Sequence, residues 1–238
     1  MIQNKIKISN LSKKYYLGAN NLISFLLGRS MKEFVALDNI ELEINEGDRI
    51  GLIGKNGSGK STLLKIISKV TLPTSGQIQI NGKVSSILEA GTGFHAELSG
   101  IDNIFFYGAL LGMSKNVIID RINSIIEFAE LNDFKHVPMK RYSSGMLIRL
   151  AFSISLFLDG DIIILDEVLA VADEKFRKKC TKKILEDCKK LNKTLIFVGH
   201  NEKSIQEICN KVIYLKKGKL IGYGDVDKML NLYNEEVS

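Results

Sequence analysis

Residues 54–62 read Gly-Lys-Asn-Gly-Ser-Gly-Lys-Ser-Thr and satisfy G-x-x-x-x-G-K-[ST], a spacing suited to holding phosphate. Gly54, Gly57 and Gly59 leave room for consecutive backbone N–H groups to curl inward, where a Cβ would obstruct the turn. The loop through Asn56, Ser58 and Thr62 would then cradle a pyrophosphate. Lys60 would reach the terminal phosphates, and the Ser61 hydroxyl would bind Mg²⁺. A nucleotide triphosphate is the ligand this chemistry requires.

Downstream, IIILDE ends in two carboxylates. Successive strand residues point opposite ways, so Asp166 suits the metal while Glu167 faces the attacking water as general base, a role worth roughly 10²–10⁴ in rate. An acidic pair can also merely cap a helix; its place at the end of an apolar strand, about a hundred residues after the phosphate loop, favours catalysis. His200 follows the strand Leu195-Ile196-Phe197-Val198 through Gly199. In a parallel sheet it shares the edge of Glu167 and serves as a γ-phosphate sensor. His95 and His136 have no such placement.

A third element is Tyr142-Ser143-Ser144-Gly145-Met146, just before LIRLAFSISLFL, in which Leu147, Leu150, Ala151, Ile154 and Leu158 share a face. It reads as the capped start of a buried helix, whose N-terminus attracts anions. One chain thus carries two phosphate-attracting elements.

The elements that must position these residues follow from periodicity. Ile50 to Ile53 form a buried strand entering the phosphate loop, and Leu63, Leu64, Ile66 and Ile67 form the buried side of the helix leaving it. Ile40, Leu42 and Ile44 alternate as a strand before a turn at Glu46-Gly47-Asp48. Asn81-Gly82 predicts a β-hairpin between residues 77–80 and 84–88. From Gly100 to Leu158 the period is helical, with Ser114 as a cap. Strand and helix then alternate: Ile162–Leu165, Glu174–Leu191, Leu195–Val198, Lys203–Cys209. The expected fold is a parallel α/β P-loop core with β-hairpins beside it and a helical insertion over about 100–158, in one domain over 1–238.

Composition sets the bounds. The 238 residues are 45% hydrophobic and 25% charged, an ordinary globular balance. The longest uncharged apolar stretch, Leu150 to Leu158, is too short to span a bilayer, and the N-terminus lacks a signal-peptide core, which predicts a cytosolic chain. Three cysteines without C-x-x-C spacing predict buried thiols rather than disulfides or zinc. The net charge of +6 lies largely on Glu174–Leu191, a solvated helix face without interleaved aromatics, so nucleic acid is not an expected partner.

Phosphate loop, serine-glycine loop, apolar-DE strand and strand-end histidine, in this order, resemble the ATP-binding subunit of an ABC transporter. The resemblance implies a homodimer in which Ser143, Ser144 and Gly145 close on ATP held by the partner's phosphate loop. It assigns Asp173, in AVAD, to the same interface, though Asp173 could equally cap the helix that follows. Tyr15, in LSKKYY, matches the aromatic that stacks on adenine. YSSGM, DEVLAVAD and LEAGTGFHAELSG depart from the common family patterns and are similar to the ATPases of polysaccharide exporters, which move lipid-linked O-antigen, capsule or teichoic-acid chains. The implied partners are integral membrane permease subunits, with the lipid-linked glycan as indirect cargo and the cytoplasmic face of the membrane as location. Glu89 stands near the position of the family's usual glutamine, and the resemblance offers it as a substitute Mg²⁺ ligand. Some exporters of this group carry a carbohydrate-binding domain after the cassette; the expectation here is a cassette without one. The insert between Tyr16 and Ala36 reads as a satellite core or as an amphipathic segment against partner or membrane. A soluble ABC-type ATPase acting in protein assembly is the alternative.

Overall fold

Period-two patterns near the N-terminus pair as antiparallel strands, and the later strands pair mostly in parallel, with helices between them in the chain. The computed structural model describes residues 4–17, 32–87, 93–165, 173–199 and 201–237. They fall into two compact units, one of Met1–Glu46, Ile50–Asn81 and Cys209–Ser238, the other of Gly47–Arg49 and Gly82–Ile208.

In the first unit, β1 (Asn4–Leu17), β2 (Lys32–Asn45) and β4 (Ser75–Ile80) form an antiparallel sheet in the order β2-β1-β4. Ile6, Ile8, Leu11, Ile40, Leu42 and Ile44 supply its buried face. Strand β3 (Arg49–Ile53) runs parallel to β8 (Lys211–Lys216), which turns into antiparallel β9 (Lys219–Gly224). Lys217 and Gly218 both have positive φ, 48° and 80°, as a two-residue hairpin turn of the primed type requires. Helix α1 (Lys60–Ile67) buries Leu63, Leu64, Ile66 and Ile67, as its spacing predicts.

The Asn81-Gly82 hairpin is not formed. Strand β4 pairs with β1, whereas β5 (Val84–Ile87) pairs in parallel with β6 (Ile162–Leu165), so the dipeptide joins two different sheets. Long-range bonds override the local turn signal: Asn81 Nδ2 donates to the Asn4 carbonyl at 2.8 Å, and Lys83 N to Asp161 Oδ2 at 2.8 Å.

The second unit stacks β5, β6 and β7 (Thr194–Val198) in parallel, with β6 and β7 joined through α5 (Glu174–Leu191). Before β6 come α2 (Gly100–Leu110), α3 (Lys115–Ala129) and α4 (Ser144–Leu156); α6 (Glu202–Ile208) follows β7. The insertion has its own core of Ile104, Tyr107, Ile118, Ile125, Leu150, Ile154 and Leu158. Ser114 caps α3, as expected, and Ser99 with Asp102 forms a capping box on α2. Cys180 and Cys188 are buried on α5; desolvation pushes their thiols up to about 12 and about 11, so both stay protonated and inert.

Candidate functional site

The phosphate loop leaves β3 and enters α1 within the first unit, with Gly54, Gly57 and Gly59 at φ of 146°, 78° and 107°. Gly59 has two reasons to lack a side chain. Its φ is unfavourable for any L residue, and an added Cβ would lie 2.6 Å from the Ala36 carbonyl oxygen and 2.8 Å from Leu37 Cδ2. No side-chain hydrogen bond caps α1, and an anion at the helix start would meet the N–H groups of its first turn. The Lys60 ammonium folds back over the loop and donates to the Gly54 carbonyl at 2.5 Å and to the Lys55 carbonyl at 3.2 Å. The loop is fastened from behind: Gly218 N donates to the Ser58 carbonyl at 2.9 Å, and Asp38 N to the Gly218 carbonyl at 2.8 Å. The sequence reading missed this β8–β9 brace, for which Lys217-Gly218 was the available signal.

The serine-glycine loop is built differently. Ser143 is the N-cap of α4, its hydroxyl accepting from Met146 N at 3.3 Å, and residues 143–145 are exposed. Tyr142 is the anchor. It is only 8% exposed and donates its hydroxyl to the Phe134 carbonyl at 2.7 Å, and burial raises its phenol above the usual range. Tyr142→Phe should therefore cost about 1 kcal/mol of unfolding free energy, read from urea melts; no change would mean that apolar packing alone holds the loop. Gly145 differs from Gly59: among the described residues an added Cβ would meet only Ser143 Oγ, at 4.0 Å.

Asp173 caps α5, accepting from Phe176 N at 2.9 Å, and also accepts from Arg149 on α4 at 2.6 and 3.2 Å. Arg149 in turn donates to Glu130 Oε2 at 3.0 Å, and Lys179 donates to Glu130 Oε1 at 3.1 Å. This network ties the serine-glycine helix to the aspartate expected at the interface. Arg149 and Glu130 were missed from sequence, since their pairing spans residues far apart in the chain. The Phe176 amide and then Arg149 hold the Asp173 carboxyl below its usual range, and Lys179 first does so for Glu130. Both folded values lie below the unfolded ones of about 4, so their contribution is present above that pH and fades on acidification through the lowered values. Urea midpoints should drop between about pH 5 and pH 3, and less steeply in Arg149→Ala; equal slopes would assign the acid sensitivity to other carboxylates.

Tyr15 lies on β1 opposite Phe34 of β2, half-buried, with the Lys13 ammonium 5.2 Å from its ring centroid. Asp166, Glu167, His200 and Glu89 lie outside the described residues, as does most of the insert after Tyr16. The strands leading to Asp166 and to His200 are neighbours in parallel, Leu165 opposite Phe197.

A strand ending in a glycine-rich turn that opens a helix on uncapped N–H groups defines a P-loop nucleotide-binding protein. A model of the family "ABC transporter" matches residues 37–170. The teichoic acids export ATP-binding protein of Staphylococcus haemolyticus is 40% identical over 97% of this chain and 88% of its own length. The O-antigen export system ATP-binding protein of Klebsiella pneumoniae is 38% identical over 98% of both. The dimeric bacterial ABC transporter cassette MJ0796 shares the fold, with a TM-score of 0.73 and 24% identity over 93% of this chain and 98% of that one. The chain belongs to the ABC transporter family, as an ATP-binding, ATP-hydrolysing subunit.

Proposed function

We propose that this ATPase powers export of a lipid-linked polysaccharide or teichoic acid through separate membrane permease subunits, from the cytoplasmic face of the membrane. The observation that carries this reading is end-to-end similarity, near 40% identity, to ATP-binding proteins of teichoic-acid and O-antigen export. No helix among the described residues is long and apolar enough to cross a membrane, and in this reading the separate permease supplies the conduit. A soluble assembly ATPase has no comparable observation in its favour.

In the proposed cycle two copies close on two ATP molecules. Backbone N–H groups of residues 56–62 and Lys60 bind the phosphates of one nucleotide, and Ser143, Ser144 and Gly145 of the other copy cover its γ-phosphate, with Asp173 at the same interface. Glu167 takes the proton of the attacking water and His200 holds the γ-phosphate. Hydrolysis separates the negative charges and reopens the dimer.

Mg²⁺ fits the residues present. Ser61 places an exposed hydroxyl in the first turn of α1, and Asp166 adds a carboxylate, the hard oxygen donors that Mg²⁺ takes, with Glu89 as a further candidate. The ion would neutralise charge on the β- and γ-phosphates.

The test is to tag the chain in its native cell, solubilise membranes in mild detergent and identify what copurifies. A polytopic membrane protein in about equal amount is expected. Recovery from the soluble fraction with a non-membrane partner would leave the ATPase standing and overturn export.

A further inference from the structure

The strand behind the phosphate loop outruns its own support. Strands β3 and β8 pair from Ile50 with Lys211 to Ile53 with Tyr214, where β3 turns into the loop. The next residues of β8 and its turn are the ones the loop rests on. A Cβ on Gly54 would lie 2.2 Å from the Leu215 carbonyl oxygen, and Gly218 N donates to the Ser58 carbonyl at 2.9 Å. On the other side of β8 the ladder to β9 shifts at this point. Tyr214 pairs with Gly222 but Leu215 with Leu220, which leaves Ile221 as an extra residue, a β-bulge. Backbone pairing thus holds the seat of the loop from one side and across a disrupted ladder.

There is also space behind the loop, a cavity of about 250 Å³ shared by Lys55, Gly57, Ser58, Lys217 and Glu236. A close-packed neighbour would resist displacement of the loop, whereas a cavity leaves its position to whatever fixes the seat.

The fastening comes from the last turn of α7 (Val226–Val237). Glu236 Oε2 accepts from the Tyr214 hydroxyl at 2.8 Å and from the Lys216 ammonium. Residues two apart on a strand share a face, so one oxygen grips β8 on both sides of Leu215. The rings of Tyr214 and Tyr233 meet edge to face with centroids 5.3 Å apart, and a Cβ on Gly222 would lie 2.6 Å from Met229 Sδ, which sets α7 down on the same hairpin. Desolvation and then Glu236 push the Tyr214 phenol up to about 12, so it stays a donor, while Lys216 and then Tyr214 hold the Glu236 carboxyl below its usual range.

We propose that Glu236 is a positioning residue for the bound nucleotide: by clamping Tyr214 and Lys216 it holds Leu215 and Gly218, the seat of the phosphate loop, in the place that phosphate binding requires. This rests on residues 54–62 being the phosphate site. The effect belongs to the phosphates and not to the base, because the seat touches the loop alone.

Calorimetric titration of the full chain with Mg-ADP and inorganic diphosphate, well below the melting temperature, tests it, with Tm measured beside each titration. The variants are Glu236→Ala, Glu236→Gln, Met229→Ala and Lys60→Ala. Glu236→Ala should weaken ADP and diphosphate by the same factor, about fivefold, as expected for one modest hydrogen bond's worth of lost preorganisation. Glu236→Gln, whose amide oxygen still accepts both bonds, should stay within twofold of the parent. Met229→Ala thins the packing of α7 without touching the clamp; it should lower Tm at least as much as Glu236→Ala and leave both affinities at the parent value. Affinity within twofold in Glu236→Ala would make the contact purely structural and overturn the proposal. So would tighter binding in both Glu236 variants, or equal loss in both, since either assigns the effect to charge. Loss of ADP without loss of diphosphate, or a loss in Met229→Ala equal to that in Glu236→Ala, would overturn it as well. If Lys60→Ala loses both ligands while the Glu236 variants behave as the parent, the phosphate site stands and the clamp alone falls. A parent chain that binds neither ligand would sink both.

Discussion

Replacing Glu167 by glutamine is expected to reduce ATP turnover about 10²–10⁴-fold, the range for a lost general base, while ATP affinity changes little. Glutamine keeps the shape of the side chain and its capacity to accept a hydrogen bond, but it cannot take the proton of the attacking water. Affinity, by contrast, is supplied in the proposed cycle by the phosphate loop, whose uncapped helix start and Lys60 owe nothing to Glu167. Binding without turnover leaves the closed state as the end point, so light scattering of Glu167→Gln with Mg-ATP should show a dimer where the parent, cycling, shows mostly monomer. A loss of turnover below tenfold would move the general base elsewhere. His200→Ala would then be the variant to compare, because it alters the other side chain expected at the γ-phosphate. A monomer under saturating Mg-ATP would remove the dimeric cycle altogether.

Where the sequence was legible, one local rule sufficed. Glycine spacing placed the phosphate loop, short apolar runs marked the buried strands β3, β6 and β7, and Ser114 and Ser143 announced their helices because capping acts within three residues. It failed where the deciding contact was distant. Asn81-Gly82 has the composition of a hairpin turn, yet Asn4 and Asp161 claim its surroundings and send the chain into a second sheet. Asp173 is both a cap and the partner of Arg149, and only the first role lies within reach of the local pattern. The same limit hid the register of β1 against β2, where a bulge at Ala36 exchanges the faces in a way that alternation cannot reveal.

Gly145→Asp should strengthen the fold and disable the ATPase. As the second residue of α4, Gly145 carries the conformational cost of glycine in a helix, and the space beside it is open among the described residues. A side chain there should raise Tm by about 1–4 °C, and a carboxylate in a first helical turn adds a favourable interaction with the helix dipole. In the proposed closed dimer the same carboxylate would face the γ-phosphate of the partner's nucleotide. At about 4 Å and an effective dielectric constant near 20, like charges repel by about 4 kcal/mol, equivalent to a loss on the order of 10³-fold in closure. ATP binding to the isolated chain should be unchanged, because its own phosphate loop is untouched. Placed in the Glu167→Gln background, the substitution should return the trapped dimer to monomer in Mg-ATP, with Tm still at or above that of the parent. A dimer that persists would mean that residues 143–145 do not cover the nucleotide. A fall in Tm would instead mean that the loop's exposed glycine serves the chain's own fold. Opposite signs for stability and activity are what separate a position kept small for another molecule from one kept small for its own neighbours, and Gly59, crowded by Ala36 and Leu37, is the control that should lose both.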